Sequence, residues 1–168
     1  MNTSENMNNV VWLDQYNTGI AEIDTQHRQI VDYLNQLNQA RKARDTRAVR
    51  EVVEGIVDYT LSHFAFEEAM MEEASYGFFR AHKNVHDTFI KRVDKFRDRL
   101  AAGENITDEF HDVLKRWLVN HIQRDDAAYV RPVKAHLEAG KPAVVSADTP
   151  EAENSWLARA MKRFFGRS

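Results

Sequence analysis

The sequence predicts an all-α protein: an up-down-up-down antiparallel four-helix bundle with an additional amphipathic helix at its C-terminal end. Two observations predict it. Four long segments carry apolar residues at spacings of three and four, the period of a helix with one buried face. The links between them are short, and short links between long helices make consecutive helices antiparallel neighbours. At 168 residues the chain suits one domain with a sizeable core.

The first segment runs through Ile23, His27, Ile30, Val31, Leu34 and Leu37. Asp45 with Thr46 suits the start of the second, which carries Val49, Val52, Val53, Ile56, Val57, Leu61, Phe64 and Met71. Ser75-Tyr76-Gly77 marks a turn. The third then runs through Phe79, His82, Val85, His86, Phe89, Ile90, Val93, Phe96 and Leu100. Gly103 fits the position just past a helix end, and Thr107 reads as an N-cap followed by an acidic first turn, Asp108 and Glu109. The fourth segment carries Phe110, Val113, Leu114, Trp117, Leu118, His121 and Ile122. Beyond Arg131-Pro132 the pattern weakens.

Residues 1–140 therefore read as the bundle with an N-terminal arm, and 141–152 as a linker of small polar residues and prolines. Residues 153–168 recover helical periodicity. Trp156, Leu157, Ala160, Met161, Phe164 and Phe165 fall on one half, with Arg159, Lys162, Arg163 and Arg167 on the other. This tail is too short and too charged to span a bilayer. It suits an anionic membrane surface, a groove on a protein partner, or a fold-back onto its own bundle or a second subunit.

The tail carries a net charge of +3, leaving −6 on the remainder of a chain whose total is −3. An acidic body argues against nucleic-acid binding. The chain has no cysteine, which excludes disulfides, thiolate-bound zinc, iron–sulfur clusters and thiol nucleophiles. The start "MNTSENMNNV" lacks the basic and apolar pattern of a secretory signal, and no apolar run is long enough to cross a membrane. A cytoplasmic protein is expected, peripheral to a membrane if the tail docks there.

Of seven histidines, His27, His63, His82, His86 and His121 fall on the apolar faces of the four helices. One inward histidine is ordinarily a core hydrogen-bonder. Five are different, because each buried imidazole needs partners and a shared metal centre supplies them. His63 with Glu67, and His82 with His86, stand four residues apart, which brings side chains to within about 40° of one direction, one turn along. Imidazole with carboxylate and without thiolate suits iron, manganese or zinc, and so many ligands exceed the needs of one ion.

With these residues the sequence resembles the bacterial hemerythrins, non-haem di-iron oxygen-binding proteins, from about Val11 to Tyr129. The resemblance implies that His82, His86 and His121 hold one iron and His27 and His63 the other. Glu67 and Asp126 would bridge the two Fe2+/Fe3+ ions together with an oxo or hydroxo group. It also implies an O2 pocket walled by Phe64, Trp117, Leu118 and Ile122. Tyr129 fits a family position after the bridging aspartate, and Trp12 and Asp24 resemble the family's lead-in to the first helix. His111 and His136 match no ligand position and are expected at the surface or behind the ligands.

Reversible O2 binding for storage, delivery or sensing follows from the resemblance, with no catalysis. The alternative is a di-iron redox enzyme, a peroxide or NO reductase or an oxidase. Against it, no glutamate has a histidine three residues later, the pattern of ferritin-like carboxylate enzymes. An HExxH zinc motif is also absent. Within "HIQRDD", regular helix geometry favours Asp125, four residues from His121, whereas the resemblance selects Asp126, about 140° round an ideal helix. A local widening of the helix turn reconciles the two. Asp125 is then expected to face solvent.

Overall fold

The computed structural model describes residues 9–140 and 162–166. Helices α1 (Ala21–Lys42), α2 (Thr46–Glu73) and α3 (Phe79–Ala101) are followed by α4 (Thr107–Asn120). From there the chain passes without a break through a π-helical turn (His121–Asp126) into α5 (Ala127–Ala139). Taken as one rod, α4, the π turn and α5 form the fourth member of the expected bundle.

Local chemistry sets most boundaries. The Asp45 carboxylate accepts the Ala48 N–H at 2.9 Å and so caps α2. Gly103 follows the end of α3 at φ +87°, a left-handed conformation that costs glycine nothing. Before α1, Asp24 gathers the lead-in. Its carboxylate accepts the Thr18 N–H at 2.7 Å, the Thr18 hydroxyl at 2.8 Å and the Gly19 N–H at 3.0 Å. The Trp12 indole N–H donates to Asn17, and its ring stacks against His27 with centroids 6.3 Å apart.

Three local expectations are corrected. Thr107 is the first helical residue rather than the cap; Ile106 holds the cap position, and Asn105 accepts the Thr107 N–H at 3.3 Å. The fourth rod does not weaken at Pro132 but runs on to Ala139. The carbonyl deprived of its N–H by that proline belongs to Ala128, an exposed residue within reach of water. Leu61, placed on the apolar face of the second segment, is 39% exposed.

The core has two apolar clusters. One includes Ile30, Leu34, Val53, Ile56, Phe64, Phe89, Phe96, Phe110, Leu114, Leu118 and Ile122. The other holds Ile20, Ile23, Phe66, Met70, Met71, Tyr129 and Val133. The linker and most of the C-terminal tail lie outside the described residues. Where the tail is described, Phe164 and Phe165 are half-buried against the second cluster. Phe165 lies 5.4 Å from the Tyr59 ring and 5.9 Å from that of Phe66. Of the places foreseen for the tail's apolar face, its own bundle receives these two rings. Among the described residues, no helix is long and apolar enough to cross a membrane.

Candidate metal centre

Each rod delivers ligand-type side chains to one buried polar layer touched by both apolar clusters. His27 comes from α1, His63 and Glu67 from α2, His82 and His86 from α3, and His121 and Asp126 from the π turn. All seven are buried, and Glu67, His27, His86 and Asp126 are wholly inaccessible.

The imidazole nitrogens converge. His86 Nε2 lies 3.1 Å from His82 Nε2 and 3.0 Å from His121 Nε2. A metal–imidazole bond of about 2.1 Å and a right angle at the metal separate two such nitrogens by about 3.0 Å, against about 3.4 Å for a tetrahedron. The observed spacings are short enough for His86 to share one ion with each of its two neighbours. The carboxylates reach both ways. Asp126 Oδ1 lies 3.0 Å from His121 Nε2 and 3.5 Å from His82 Nε2, while its Oδ2 lies 3.2 Å from His27 Nε2. Glu67 Oε2 stands 3.3 Å from His86 Nε2 and 3.7 Å from His63 Nε2, with Oε1 4.0 Å from His27 Nε2. Two groups of donor atoms, Glu67 with His82, His86 and His121, and His27, His63 with Glu67, are each compact enough to hold an ion.

Unpartnered atoms test the fit. Among the described residues, His27 Nε2, His63 Nε2, Glu67 Oε2 and both Asp126 oxygens are buried without a hydrogen-bond partner. Stranding this many polar atoms in one core is costly unless something binds them. Cations satisfy all of them.

Charge agrees. Burial pushes the Glu67 carboxyl up, but the attraction of His63 and the close approach of His121, His82 and His86 outweigh it, holding Glu67 well below the usual carboxylate range. Asp126 is also lowered: burial and the Glu67 charge act against His121, and the histidine contacts win. Burial pushes His63 down to about 3 despite the nearby carboxylates. His121 goes the other way. Burial would lower it, but Asp126, Asp125 and Glu67 together raise it well above the ordinary imidazole value. The layer thus keeps its two carboxylates ionised although both are wholly buried.

Aromatic rings clamp the ligands. Phe64 stacks on His86 at 3.8 Å and 6°, Trp117 on His121 at 4.3 Å and 15°, and Phe89 on Trp117 at 3.8 Å and 13°. Phe64, Leu118 and Ile122 are buried, and Trp117 is half-buried. A cavity of about 20 Å³ lies between α2, α3 and α4, lined by Thr60, Phe64, Phe89, Val93, Phe110 and Leu114 among others. It shares only Phe64 with the anticipated pocket wall.

The doublet resolves as the widened turn requires. With five residues rather than four closing the turn, Asp126 faces inward beside His121. Asp125 does not simply face solvent, which corrects the expectation. Its Oδ2 accepts from His121 Nδ1 at 3.0 Å while the side chain stays 38% exposed. Two further partners escaped the sequence reading. Gln26 Oε1 accepts from His63 Nδ1 at 2.8 Å, and Glu68 Oε1 from His86 Nδ1 at 3.0 Å. Each acts across a helix interface, so no spacing within one helix signals it. Tyr129 donates its hydroxyl to Glu67 Oε1 at 2.5 Å. His136 is exposed, but His111 is buried away from the layer, with Nε2 unpartnered.

Fold and site together define a metal-binding four-helix bundle with histidine and carboxylate ligands. A model of the hemerythrin HHE cation binding domain matches residues 18–132. Bacteriohemerythrin of Pseudomonas aeruginosa is 48% identical over 160 residues, 95% of this chain and all of that protein. Bacteriohemerythrin of Stenotrophomonas maltophilia is 50% identical over 157 residues, 94% of this chain and 98% of that one. The crystal structure of a wild-type hemerythrin superposes with a TM-score of 0.71 at 26% identity, covering 74% of this chain and 97% of that chain. The chain belongs to the hemerythrin family. Membership makes it an iron- and oxygen-binding protein.

Proposed function

We propose that this protein binds O2 reversibly at a di-iron centre, in the service of oxygen storage, delivery or sensing rather than catalysis. His82, His86 and His121 would hold one ion and His27 and His63 the other, with Glu67 and Asp126 shared between them. The observation that carries the reading is the convergence of five buried imidazoles and two buried carboxylates, among which His27 Nε2, His63 Nε2, Glu67 Oε2 and both Asp126 oxygens lack a hydrogen-bond partner among the described residues. The chemistry such a pair of irons would supply is a reversible exchange of electrons with O2, held in place by these seven side chains.

The chain's own residues favour release over reduction. Phe64, Trp117, Leu118 and Ile122 wall the layer with apolar surface, which keeps out the water and protons that would drive an irreversible course. Tyr129 brings a phenol to the layer, but burial and the charges of Glu67 and Asp126 raise it well above its ordinary value. It keeps its proton for Glu67, so it steadies that carboxylate instead of serving as an acid. An oxygen electrode tests the proposal. Reduced protein should take up one O2 per two irons and give it back on evacuation. Continuous consumption of O2 with a reductant would instead mark an enzyme.

A further inference from the structure

The hydrogen bonds behind the histidines differ between the two halves of the centre. In the three-histidine half, His86 Nδ1 donates to Glu68 at 3.0 Å and His121 Nδ1 to Asp125 at 3.0 Å, so two of its three imidazoles lean on carboxylates. In the two-histidine half, His63 Nδ1 meets the neutral amide oxygen of Gln26 at 2.8 Å, and His27 Nδ1 has no hydrogen-bond partner among the described residues. Both carboxylates are reachable from solvent, with Glu68 18% and Asp125 38% exposed, and Glu68 also faces Lys83 at 3.4 Å.

We propose that Glu68 and Asp125 are positioning residues that make the two metal positions unequal, so that the His82, His86 and His121 position fills first and empties last. The reasoning is electrostatic. A carboxylate on the outer nitrogen fixes the tautomer with Nε2 free, raises the basicity of that nitrogen and adds negative charge close to the ion. An amide fixes the tautomer without the charge. Glu67 and Asp126 are shared, so a dication in the first position uses part of their charge and the second ion meets a weaker field. A one-metal species is therefore a true intermediate of assembly. This inference rests on the metal-centre reading above.

The test starts from the full chain loaded with two Co2+ per molecule and titrated with a competing chelator. Native mass spectrometry counts ions per chain, and circular dichroism follows the fold. The wild type should release its metal in two separated steps, with a one-cobalt species between them. Glu68→Gln and Asp125→Asn each keep an acceptor for the imidazole N–H and remove only charge. Together they should weaken the tight step by about 10–100-fold and leave the loose step nearly in place, so the intermediate shrinks. Gln26→Glu should do the converse and tighten the loose step. Movement of the loose step alone in the double variant, or no movement of either, overturns the inference. A wild-type chain that holds fewer than two ions would defeat the metal-centre reading itself, and this inference with it.

Discussion

Neutralising Asp126 without changing its shape discriminates most sharply between the two aspartates of the π turn. Asp126→Asn removes one negative charge from a wholly buried position whose oxygens lie 3.0 Å from His121 Nε2 and 3.2 Å from His27 Nε2. Because one carboxylate faces both halves, both metal positions weaken. Loss of a partner behind a ligand costs about 10–100-fold in metal affinity. Loss of a carboxylate among the ligands should cost more than about 100-fold at each position, or more than about 2.7 kcal/mol. Asp125→Asn keeps its acceptor behind His121 and should stay within the smaller range, loading both irons when iron is in excess. Dialysis of the two variants and the wild type against graded chelator, with iron counted per chain, reads the difference. Retention of both irons by Asp126→Asn, with their loss from Asp125→Asn, would refute the inward assignment of Asp126.

Other consequences can be checked independently. Phe64→Ala removes a ring that is 2% exposed and stacked on His86, so it should cost about 3–5 kcal/mol in urea unfolding and shorten the lifetime of the oxygenated form. Replacing Phe164 and Phe165 by serine uncovers Tyr59 and Phe66 and should cost roughly 1–2 kcal/mol in the same assay; unchanged stability would show that the rings do not rest there. Metal-free protein should lose stability between pH 6 and pH 5. In that window the unfolded chain protonates the residue that is His63 in the fold, while the folded chain, with His63 pushed down to about 3, does not. The loss is up to about 1.4 kcal/mol per pH unit. His121 has the opposite sign, but its contribution is complete below about 6.5, and Glu67 costs stability only as pH falls through the carboxylate range. Urea midpoints at the two pH values should differ more for the wild type than for His63→Gln, in which His111, also lowered by burial, still contributes.

The bundle was legible because apolar residues repeat at helical spacing and Asp45 and Gly103 punctuate the chain. The histidines were legible as a set, since five inward imidazoles demand a common partner. Asp126 was not legible from geometry. A regular helix puts Asp125 beside His121, and nothing local in "HIQRDD" announces that the turn will widen. The resemblance supplied the residue and the π turn supplies the physical reason. Gln26, Glu68 and the role of Asp125 lay further out of reach. Gln26 is next to His27 in sequence yet serves His63, and Glu68 is next to Glu67 yet serves His86 on another helix. Partners of that kind depend on how helices meet, which a one-dimensional pattern does not encode. The apolar pattern weakens past Pro132, yet the final rod continues to Ala139, close to the bound of 140 read for the bundle, with the orphaned carbonyl on exposed Ala128.

Anaerobic loading with ferrous iron, followed by metal analysis and an absorbance spectrum taken in air and again after degassing, tests the central claim most directly. The account predicts two irons per chain and a visible charge-transfer band that rises in air, vanishes on degassing and returns over repeated cycles. Fewer than two irons per chain, or a band that bleaches irreversibly on first exposure, would contradict it.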